Sequence, residues 1–294
     1  IVWLGDTGIQ ESRERVRSAM KNSWYKFPGW ARITVNLAPA DLKKKWPIYD
    51  LPMALGILGK EIEFQKEILA TSLFLGELAL DGEVRSVQWA LPATILAREL
   101  GYKRIFLPKT NIPEATIIPD IDIIGIQHLS DVIDLLTGQK IILPAEKLDI
   151  RWVPKNHLGI DFSIILWQEQ AKRALLIAAA GWHNILMQWP PGSWKTMLAK
   201  ALASILPDME VEEQIELSKI YSVAWLLTKE MPLVLDRPFR TIHHTASEAS
   251  IVGWWRDSRP WEISLAHKWV LFLDEFLEFD KRILETLRQP LEYG

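Results

Sequence analysis

The stretch that decides the fold is Trp189–Thr196, which reads WPPGSWKT. Lys195 and Thr196 match the phosphate-binding pattern G-x-x-x-x-G-K-[ST], and glycine at Trp189 and Trp194 would complete it. In such a loop the backbone N–H groups and the lysine bind the phosphates of ATP, and the hydroxyl binds Mg²⁺. The sequence therefore predicts a nucleotide-binding loop made of Trp189, Pro190, Pro191, Gly192, Ser193, Trp194, Lys195 and Thr196.

The flanks of this loop match a strand–loop–helix unit. Asn184–Gln188 is a short apolar run that predicts a strand, and Lys195–Ile205 has the periodicity of a helix. A phosphate would then lie at a helix N-terminus, where the backbone dipole favours an anion. The loop therefore predicts an α/β architecture for this part of the chain.

A second motif follows in Val270–Glu275, which reads VLFLDE. Four apolar residues predict a buried strand, and two carboxylates follow at its end. In a P-loop protein Asp274 would hold Mg²⁺ through water, and Glu275 would polarise the attacking water. Lys195 and Glu275 are therefore the predicted catalytic residues, and Thr196 and Asp274 are the predicted Mg²⁺ ligands.

The chain contains 15 Trp and 15 Gly, and many of the Trp lie where turns and loops favour glycine. Core Trp would instead follow a helical or strand period. We therefore hypothesise that most of them are UGA codons that the native organism reads as glycine. If they are true Trp, the indole of Trp194 fills the phosphate space, and the alternative is a nucleotide-free scaffold. Besides Trp189 and Trp194, the suspected positions are Trp24, Trp30, Trp46, Trp182, Trp254, Trp255, Trp261 and Trp269.

Composition is that of an ordinary globular protein. The chain has 294 residues, 49% of them hydrophobic, which suits two domains with packed cores. The formal net charge of −3 does not indicate nucleic acid or an acidic membrane surface as a partner. The absence of Cys excludes disulfides, zinc knuckles and a thiol nucleophile.

No apolar run reaches about 18 residues, so we expect no membrane span. We also expect a cytoplasmic location.

Hydrophobic periodicity divides the chain into two parts joined by a linker. Residues 1–138 alternate helical and strand patterns, and Gly101 and Gly138 are placed to end two of the helices. Residues 139–160 predict a linker. Residues 161–294 carry both nucleotide motifs, so they predict a separate domain.

The segment Arg240–Thr245 reads RTIHHT and contains the adjacent pair His243 and His244. Neighbours on an extended chain point to opposite faces, and the sequence offers no evident third metal ligand. We therefore interpret this segment as a structural or substrate-facing loop, and the role of the two histidines stays open. Arg237 and Arg240 are candidates for phosphate contacts.

With glycine restored, the chain resembles the magnesium-chelatase-like AAA+ ATPases of the ComM/YifB family. The resemblance extends over nearly the whole chain and includes the block ISLAHK that precedes Trp269. The other matching blocks are Gln10–Ser23, Ile33–Lys44, Tyr49–Leu58, Phe74–Arg85, Gln168–Leu175 and Leu287–Glu292.

The resemblance implies an α/β fold with two different domains. Residues 1–138 would form a Lon-protease/ribosomal-S5-like domain of the ChlI type. Residues 161–294 would form the N-terminal part of a P-loop AAA+ αβα core that contains the Walker A and Walker B motifs. Met53 stands where Lon proteases have their nucleophile, and Leu91 stands where they have their lysine. The resemblance therefore implies a domain without peptidase activity.

The resemblance also implies a homo-hexameric ring that uses ATP and Mg²⁺. The best-known role in the family is DNA branch migration during natural transformation. The alternative is a chelatase motor subunit that drives Mg²⁺ insertion into porphyrin, although the Lon-like domain argues against it. The chain begins at Ile1 without Met, and the sensor, arginine-finger and lid elements would follow Gly294. We therefore expect a fragment truncated at the C-terminus that hydrolyses ATP poorly by itself.

Overall fold

The protein has a mixed α/β fold that contains parallel strands, as the sequence predicts. The chain divides into two compact units, and the first boundary, at Ile150, falls inside the predicted linker. The first unit comprises Ile1–Ile150 and Thr228–Pro232, and the second comprises Arg151–Leu227 and Leu233–Gly294. The computed structural model describes residues 7–29, 33–35, 46–148, 160–188, 195–228, 230–246, 261–268 and 270–288.

The α-helices and strands of the described residues follow one another along both units. The helices are α1 Thr7–Asn22, α2 Asp50–Leu58, α3 Lys66–Ala70, α4 Ala90–Glu99, α5 Ile112–Ala115, α6 Leu129–Leu136, α7 Glu169–Gly181, α8 Lys195–Leu202, α9 Val211–Val223, α10 Glu262–Leu265 and α11 Lys281–Thr286. The strands are β1 Ser72–Phe74, β2 Glu77–Leu78, β3 Val84–Arg85, β4 Arg104–Pro108, β5 Asp122–Ile126, β6 Phe239–Ile242 and β7 Val270–Leu273.

The first unit is built on a parallel sheet in the order β1-β4-β5. Ser72 pairs with Arg104, and Arg104 pairs with Asp122, so the three strands are in register at their amino ends. Apart from their first residues, β4 and β5 are almost wholly buried. Their nearly continuous apolar runs are typical of a parallel sheet that is covered on both faces.

The hairpin β2–β3 turns at Gly82, whose φ is +94°. A Cβ atom at this glycine would lie 2.7 Å from His128 Cε1 and closer still to Ser23 Oγ. Only glycine therefore satisfies both the backbone conformation and the space at this turn.

Asp50 joins three elements of the first unit. Its buried carboxylate accepts hydrogen bonds from Ser12, from Arg15 Nε at 2.7 Å and from the Leu78 N–H at 3.3 Å. Burial raises the pKa of Asp50, and the hydrogen bonds from Arg15 and Ser12 oppose that rise. Since α1, α2 and β2 all meet this carboxylate, we conclude that Asp50 is a structural residue.

Several helices of both units end in the same way, with a residue in the left-handed conformation. After α4 the Gly101 N–H donates to Arg98 O and the next N–H donates five residues back, to Ala97 O. Gly138 closes α6 with the same pair of hydrogen bonds. These two bonds define the Schellman motif, in which glycine is the usual left-handed residue. Both helix ends predicted from glycine are therefore confirmed.

Three other helices carry Trp at the equivalent position. Trp24 after α1 and Trp225 after α9 make both Schellman bonds, at φ +66° and +63°. Trp182 after α7 has φ +54°, and its N–H donates to Ala178 O. A fourth residue, Trp89, has φ +73° at the start of α4. Trp is thus repeatedly found in a conformation that favours glycine.

The second unit contains the parallel pair β6–β7 and several small hydrophobic clusters. The predicted helix that follows the phosphate-binding motif, α8, and the predicted strand β7 are confirmed. The prediction of a strand at Asn184–Gln188 is wrong, because residues 183–188 are irregular and Leu186 is 77% exposed. No strand among the described residues forms hydrogen bonds with this segment. An apolar run without a neighbouring strand does not form a strand itself.

Candidate functional site

The phosphate-binding motif is only partly within the described residues. Trp189, Pro190, Pro191, Gly192, Ser193 and Trp194 lie outside them. Lys195 and Thr196 are the first two residues of α8, as a P-loop requires. Lys195 is partly buried and Thr196 is exposed.

The opposite face of α8 packs into the core of the second unit. Leu198, Ala201 and Leu202 belong to one hydrophobic cluster with α7, and Val270 of β7 packs against the same cluster. The helix that begins with Lys195 and the strand that ends before Asp274 therefore share one core.

The two predicted acids follow β7 directly. Asp274 is partly buried, and its N–H donates to Ile242 O at 3.3 Å, which continues the β6–β7 ladder. Glu275 is exposed and has φ +55°, and its N–H donates to Asp274 Oδ1 at 3.1 Å. A left-handed conformation at a non-glycine residue is strained, and such strain is concentrated at functional sites.

The two histidines that follow β6 meet Glu275. Because β6 and β7 are parallel and in register from Phe239 to Ile242, the residues after each strand lie at the same edge. His244 Nδ1 lies 2.8 Å from Glu275 Oε2, and His243 Nε2 lies 3.9 Å from the same oxygen. The two imidazole rings are 4.2 Å apart.

The expectation that the histidines point to opposite faces, without a third ligand, is therefore wrong. The chain stops being extended at Ile242, and residues 244–245 form a turn, so the alternation of a strand does not apply. Glu275 is the third group whose chemistry could bind a metal ion, and one potential ligand atom from each of the three side chains lies within 4.8 Å of the others. The spacing of His243, His244 and Glu275 in the sequence does not indicate that they are close, because the histidines and the glutamate follow two different strands.

The arginines considered for phosphate contacts are held by protein groups. Arg240 forms a bidentate ion pair with Glu262, with N–O distances of 2.7 and 2.5 Å. The hydrogen bond to Glu262 raises the pKa of Arg240. Arg237 donates to Pro207 O and to Glu213, and its guanidinium stacks on Trp182. Both side chains therefore act as structural cross-links in this conformation.

The protease-like positions of the first unit are apolar and buried. Met53 is in the core beside α1, and Leu91 is fully buried in α4. A thioether and an alkyl side chain cannot serve as a nucleophile and a base. The absence of peptidase activity stays a prediction.

None of the described helices is both long and apolar enough to cross a membrane.

Two family models match this chain. The model described as "Magnesium chelatase, subunit ChlI" matches residues 161–294, and the model described as "Subunit ChlI of Mg-chelatase" matches residues 1–111. Both motifs of the predicted nucleotide site, Trp189–Thr196 and Val270–Glu275, therefore lie within the first match.

The chain is also similar to curated proteins along its whole length. It is 43% identical to "Competence protein ComM" of Haemophilus influenzae over 299 residues, and 40% identical to "Uncharacterized protein YifB" of Escherichia coli over 296 residues. Both alignments include 100% of this chain, and they cover 58% and 57% of the respective relatives. A shorter match, 31% identical over 96 residues, covers 33% of this chain and 21% of "DNA repair protein RadA" of Listeria monocytogenes. The chain thus spans a little over half the length of ComM and YifB.

Proposed function

Because the chain belongs to the magnesium-chelatase-like family that includes ComM and YifB, we propose that it is part of an ATP-hydrolysing AAA+ motor. In this proposal the first unit is a Lon-like domain without peptidase activity. The second unit is the N-terminal part of the AAA+ core, with its Walker A motif at Trp189–Thr196 and its Walker B motif at Val270–Glu275.

The observation that carries the proposal is the shared core of α8 and β7. Val270 packs against the cluster formed by the buried face of α8. Lys195 and Thr196 begin that helix, and Asp274 and Glu275 directly follow that strand. A P-loop enzyme needs both motifs on one rigid support, since positioning and electrostatics supply most of phosphoryl-transfer catalysis.

Each residue has a role that its chemistry suits. The Lys195 ammonium would neutralise the charge of the β- and γ-phosphates, and the Thr196 hydroxyl and the Asp274 carboxylate would hold Mg²⁺. These are hard oxygen donors, the ligand type that Mg²⁺ prefers. Bound Mg²⁺ supplies charge neutralisation at the phosphates. Glu275 would polarise the attacking water.

The proposal requires glycine at Trp189 and Trp194 in the native protein. The described helix ends support this requirement, because Trp24, Trp182 and Trp225 occupy left-handed positions that favour glycine. One recoded codon would account for these helix ends and for the loop together.

Mass spectrometry of the native protein tests the requirement directly, on the peptide from His183 to Lys195. Glycine at both suspected positions is the expected result, and it would leave the phosphate-binding pattern intact. Tryptophan at both would overturn the ATPase proposal. The scaffold interpretation would then stand in its place.

We further propose that the full-length protein forms a homo-hexameric ring and remodels branched DNA, as the resemblance to the ComM/YifB family implies. The test is the ATPase rate of the full-length protein with and without branched DNA, in a Lys195→Ala variant as well as in the unchanged protein. Stimulation that requires Lys195 is the expected result. An unchanged rate with branched DNA would count against the DNA role and leave the ATPase role intact.

The second candidate is a chelatase motor, which the descriptions of both family models favour. It predicts ATP-dependent insertion of Mg²⁺ into a porphyrin when partner subunits are added. The same full-length preparation separates the two candidates, because a DNA motor would show no porphyrin dependence of its ATPase rate.

A further inference from the structure

We propose that His243, His244 and Glu275 form a binding site for one divalent transition-metal ion of the Zn²⁺ class. The three side chains come from the ends of two neighbouring parallel strands, and their ligand atoms lie within 4.8 Å of one another. This site is separate from the proposed Mg²⁺ site, whose ligands are Thr196 and Asp274.

The distances suit a small ion after minor side-chain movement. With metal–ligand bonds of about 2.0–2.1 Å, tetrahedral ligand atoms lie about 3.3 Å apart. The separations from Glu275 Oε2 are 2.8 Å for His244 Nδ1 and 3.9 Å for His243 Nε2, on either side of that value. Rotations of side chains that are at least partly exposed can make up such differences.

The ring nitrogens present suitable lone pairs. The His244 Nδ1 atom is buried, and it makes no hydrogen bond of normal geometry to any described residue, although Glu275 lies close to it. His243 Nδ1 lies 3.0 Å from Thr245 Oγ1. The Thr245 N–H also lies within reach of this nitrogen, at 3.4 Å, and donates to it in the other tautomer. A metal ion at Nε2 would select the tautomer in which Nδ1 donates to Thr245 Oγ1 and the lone pair of Nε2 is on the side of Glu275. Metal-bound histidines commonly use their second nitrogen in this way.

The donor set determines the class of ion. Two imidazoles and one carboxylate suit Zn²⁺ and its transition-metal neighbours, whereas Mg²⁺ prefers oxygen ligands alone. Three protein ligands leave a fourth position open for water. Glu275 has a strained backbone, with φ +55°, and it follows β7 at the sheet edge where β6 also ends. Its side chain therefore begins at the same edge as the two histidines.

The site has a consequence that rests on the proposed function. A metal ion bound to Glu275 occupies the carboxylate that would otherwise polarise the attacking water. Zn²⁺ would therefore inhibit ATP hydrolysis by the native protein. Metal binding itself does not depend on ATPase activity, so it can be tested without nucleotide.

The experiment is a Zn²⁺ titration of the 294-residue chain without nucleotide, in competition with a chromophoric chelator. We expect one Zn²⁺ per chain, and at least a 10-fold weaker affinity in His243→Ala and in His244→Ala, since even outer-shell changes weaken such sites about 10–100-fold. The control is His267→Ala, because His267 also faces a single glutamate, with Nε2 3.2 Å from Glu216 Oε1. The His267→Ala variant should bind Zn²⁺ with the same affinity as the unchanged chain.

Two further variants keep the test valid if an alanine variant unfolds. His244→Gln and Glu275→Gln approximately preserve side-chain volume while removing the imidazole or the carboxylate charge, and circular dichroism would show whether each variant is folded. Zn²⁺ binding that is absent, or that is equally tight in all histidine variants, would overturn the proposal. If the chain with Trp189→Gly and Trp194→Gly binds Zn²⁺ here but does not bind ATP, the result would contradict the proposed function alone.

Discussion

The ends of α1 and α4 share one backbone structure, but its left-handed position is occupied by Trp24 in α1 and by Gly101 in α4. At α4 the Gly101 N–H donates to Arg98 O at 3.0 Å, and the Tyr102 N–H donates to Ala97 O at 2.9 Å. At α1 the Trp24 N–H and the Tyr25 N–H make the equivalent bonds at the same two distances. One helix ends with the residue that this motif favours, and the other ends with the largest side chain available.

The comparison teaches that the backbone, not the side chain, determines which residue suits these positions. The Trp24 side chain is 95% exposed, so its indole contributes no packing that would explain its presence. Of the eight non-glycine residues with positive φ in the described parts of the chain, four are Trp. The left-handed conformation costs a residue with a Cβ about 1–2 kcal/mol. These positions therefore favour glycine on physical grounds that are independent of the phosphate-binding pattern.

The comparison between Trp and Gly predicts its largest effect, on ATP binding, at the phosphate-binding loop. Trp189→Gly with Trp194→Gly should lower the Kd for ATP from above ~1 mM to the ~1 µM range, a gain of about 4 kcal/mol. Isothermal titration with ATP and Mg²⁺ measures the change. The matched control is Trp24→Gly with Trp225→Gly, which replaces two Trp at helix ends and should leave ATP binding undetectable. If both double variants bind ATP equally, the two Trp of the loop do not obstruct ATP binding. The requirement for glycine in the loop would then be contradicted.

The next effect is expected where glycine is required for space as well as conformation. Gly82→Ala should destabilise the first unit by about 2–4 kcal/mol, because left-handed strain adds to overpacking against Ser23 and His128. Urea denaturation followed by circular dichroism measures the loss. Gly101→Ala is the control, since a Cβ there meets open space, and its cost should be only about 1 kcal/mol. Similar losses in the two variants would contradict the distinction.

A smaller effect of opposite sign is expected at the end of α1. Trp24→Gly should stabilise the protein by about 0.5–1.5 kcal/mol, because it removes left-handed strain and no buried contact is lost. Trp24→Ala separates the causes, since it removes the indole and keeps the Cβ. That variant should change the unfolding free energy by less than about 0.5 kcal/mol. If both variants stabilise equally, exposure of the indole and not the backbone conformation is the cause.

The smallest effect is expected at the end of α7. Trp182→Gly relieves the same strain but also removes the indole that lies 4.8 Å below the Arg237 guanidinium. That cation–π contact contributes about 0.5–1 kcal/mol, so the two changes nearly cancel. Thermal unfolding should therefore show little shift, whereas Trp225→Gly, to which none of the described residues makes a cation–π contact, should raise the midpoint. A clear stabilisation by Trp182→Gly would mean that the contact contributes nothing.

Much of the local structure could be predicted from sequence. Short patterns predicted the helices that end at Gly101 and Gly138, and also β7 with the two acids that follow it. These features depend on residues close together in the chain, so a local window contains the information.

Helix α9 escaped prediction for a specific physical reason. Its buried face includes Gln214, Ser218 and Ser222 as well as apolar residues, so its hydrophobic periodicity is weak. Ser218 Oγ accepts a hydrogen bond from the Val234 N–H at 3.0 Å, which satisfies a buried polar group. A polar residue that belongs to the core through one distant partner cannot be recognised from hydropathy alone.

The sequence by itself determined that two helices end at Gly101 and Gly138 and that a strand precedes Asp274 and Glu275, and it predicts which residues would carry phosphate chemistry. The reason is that turn conformation and side-chain alternation are properties of a few neighbouring residues. Only the tertiary structure decided that His243 and His244 meet Glu275, and that α8 and β7 share one core. These groups are far apart in the chain, and parallel pairing and side-chain packing bring them together.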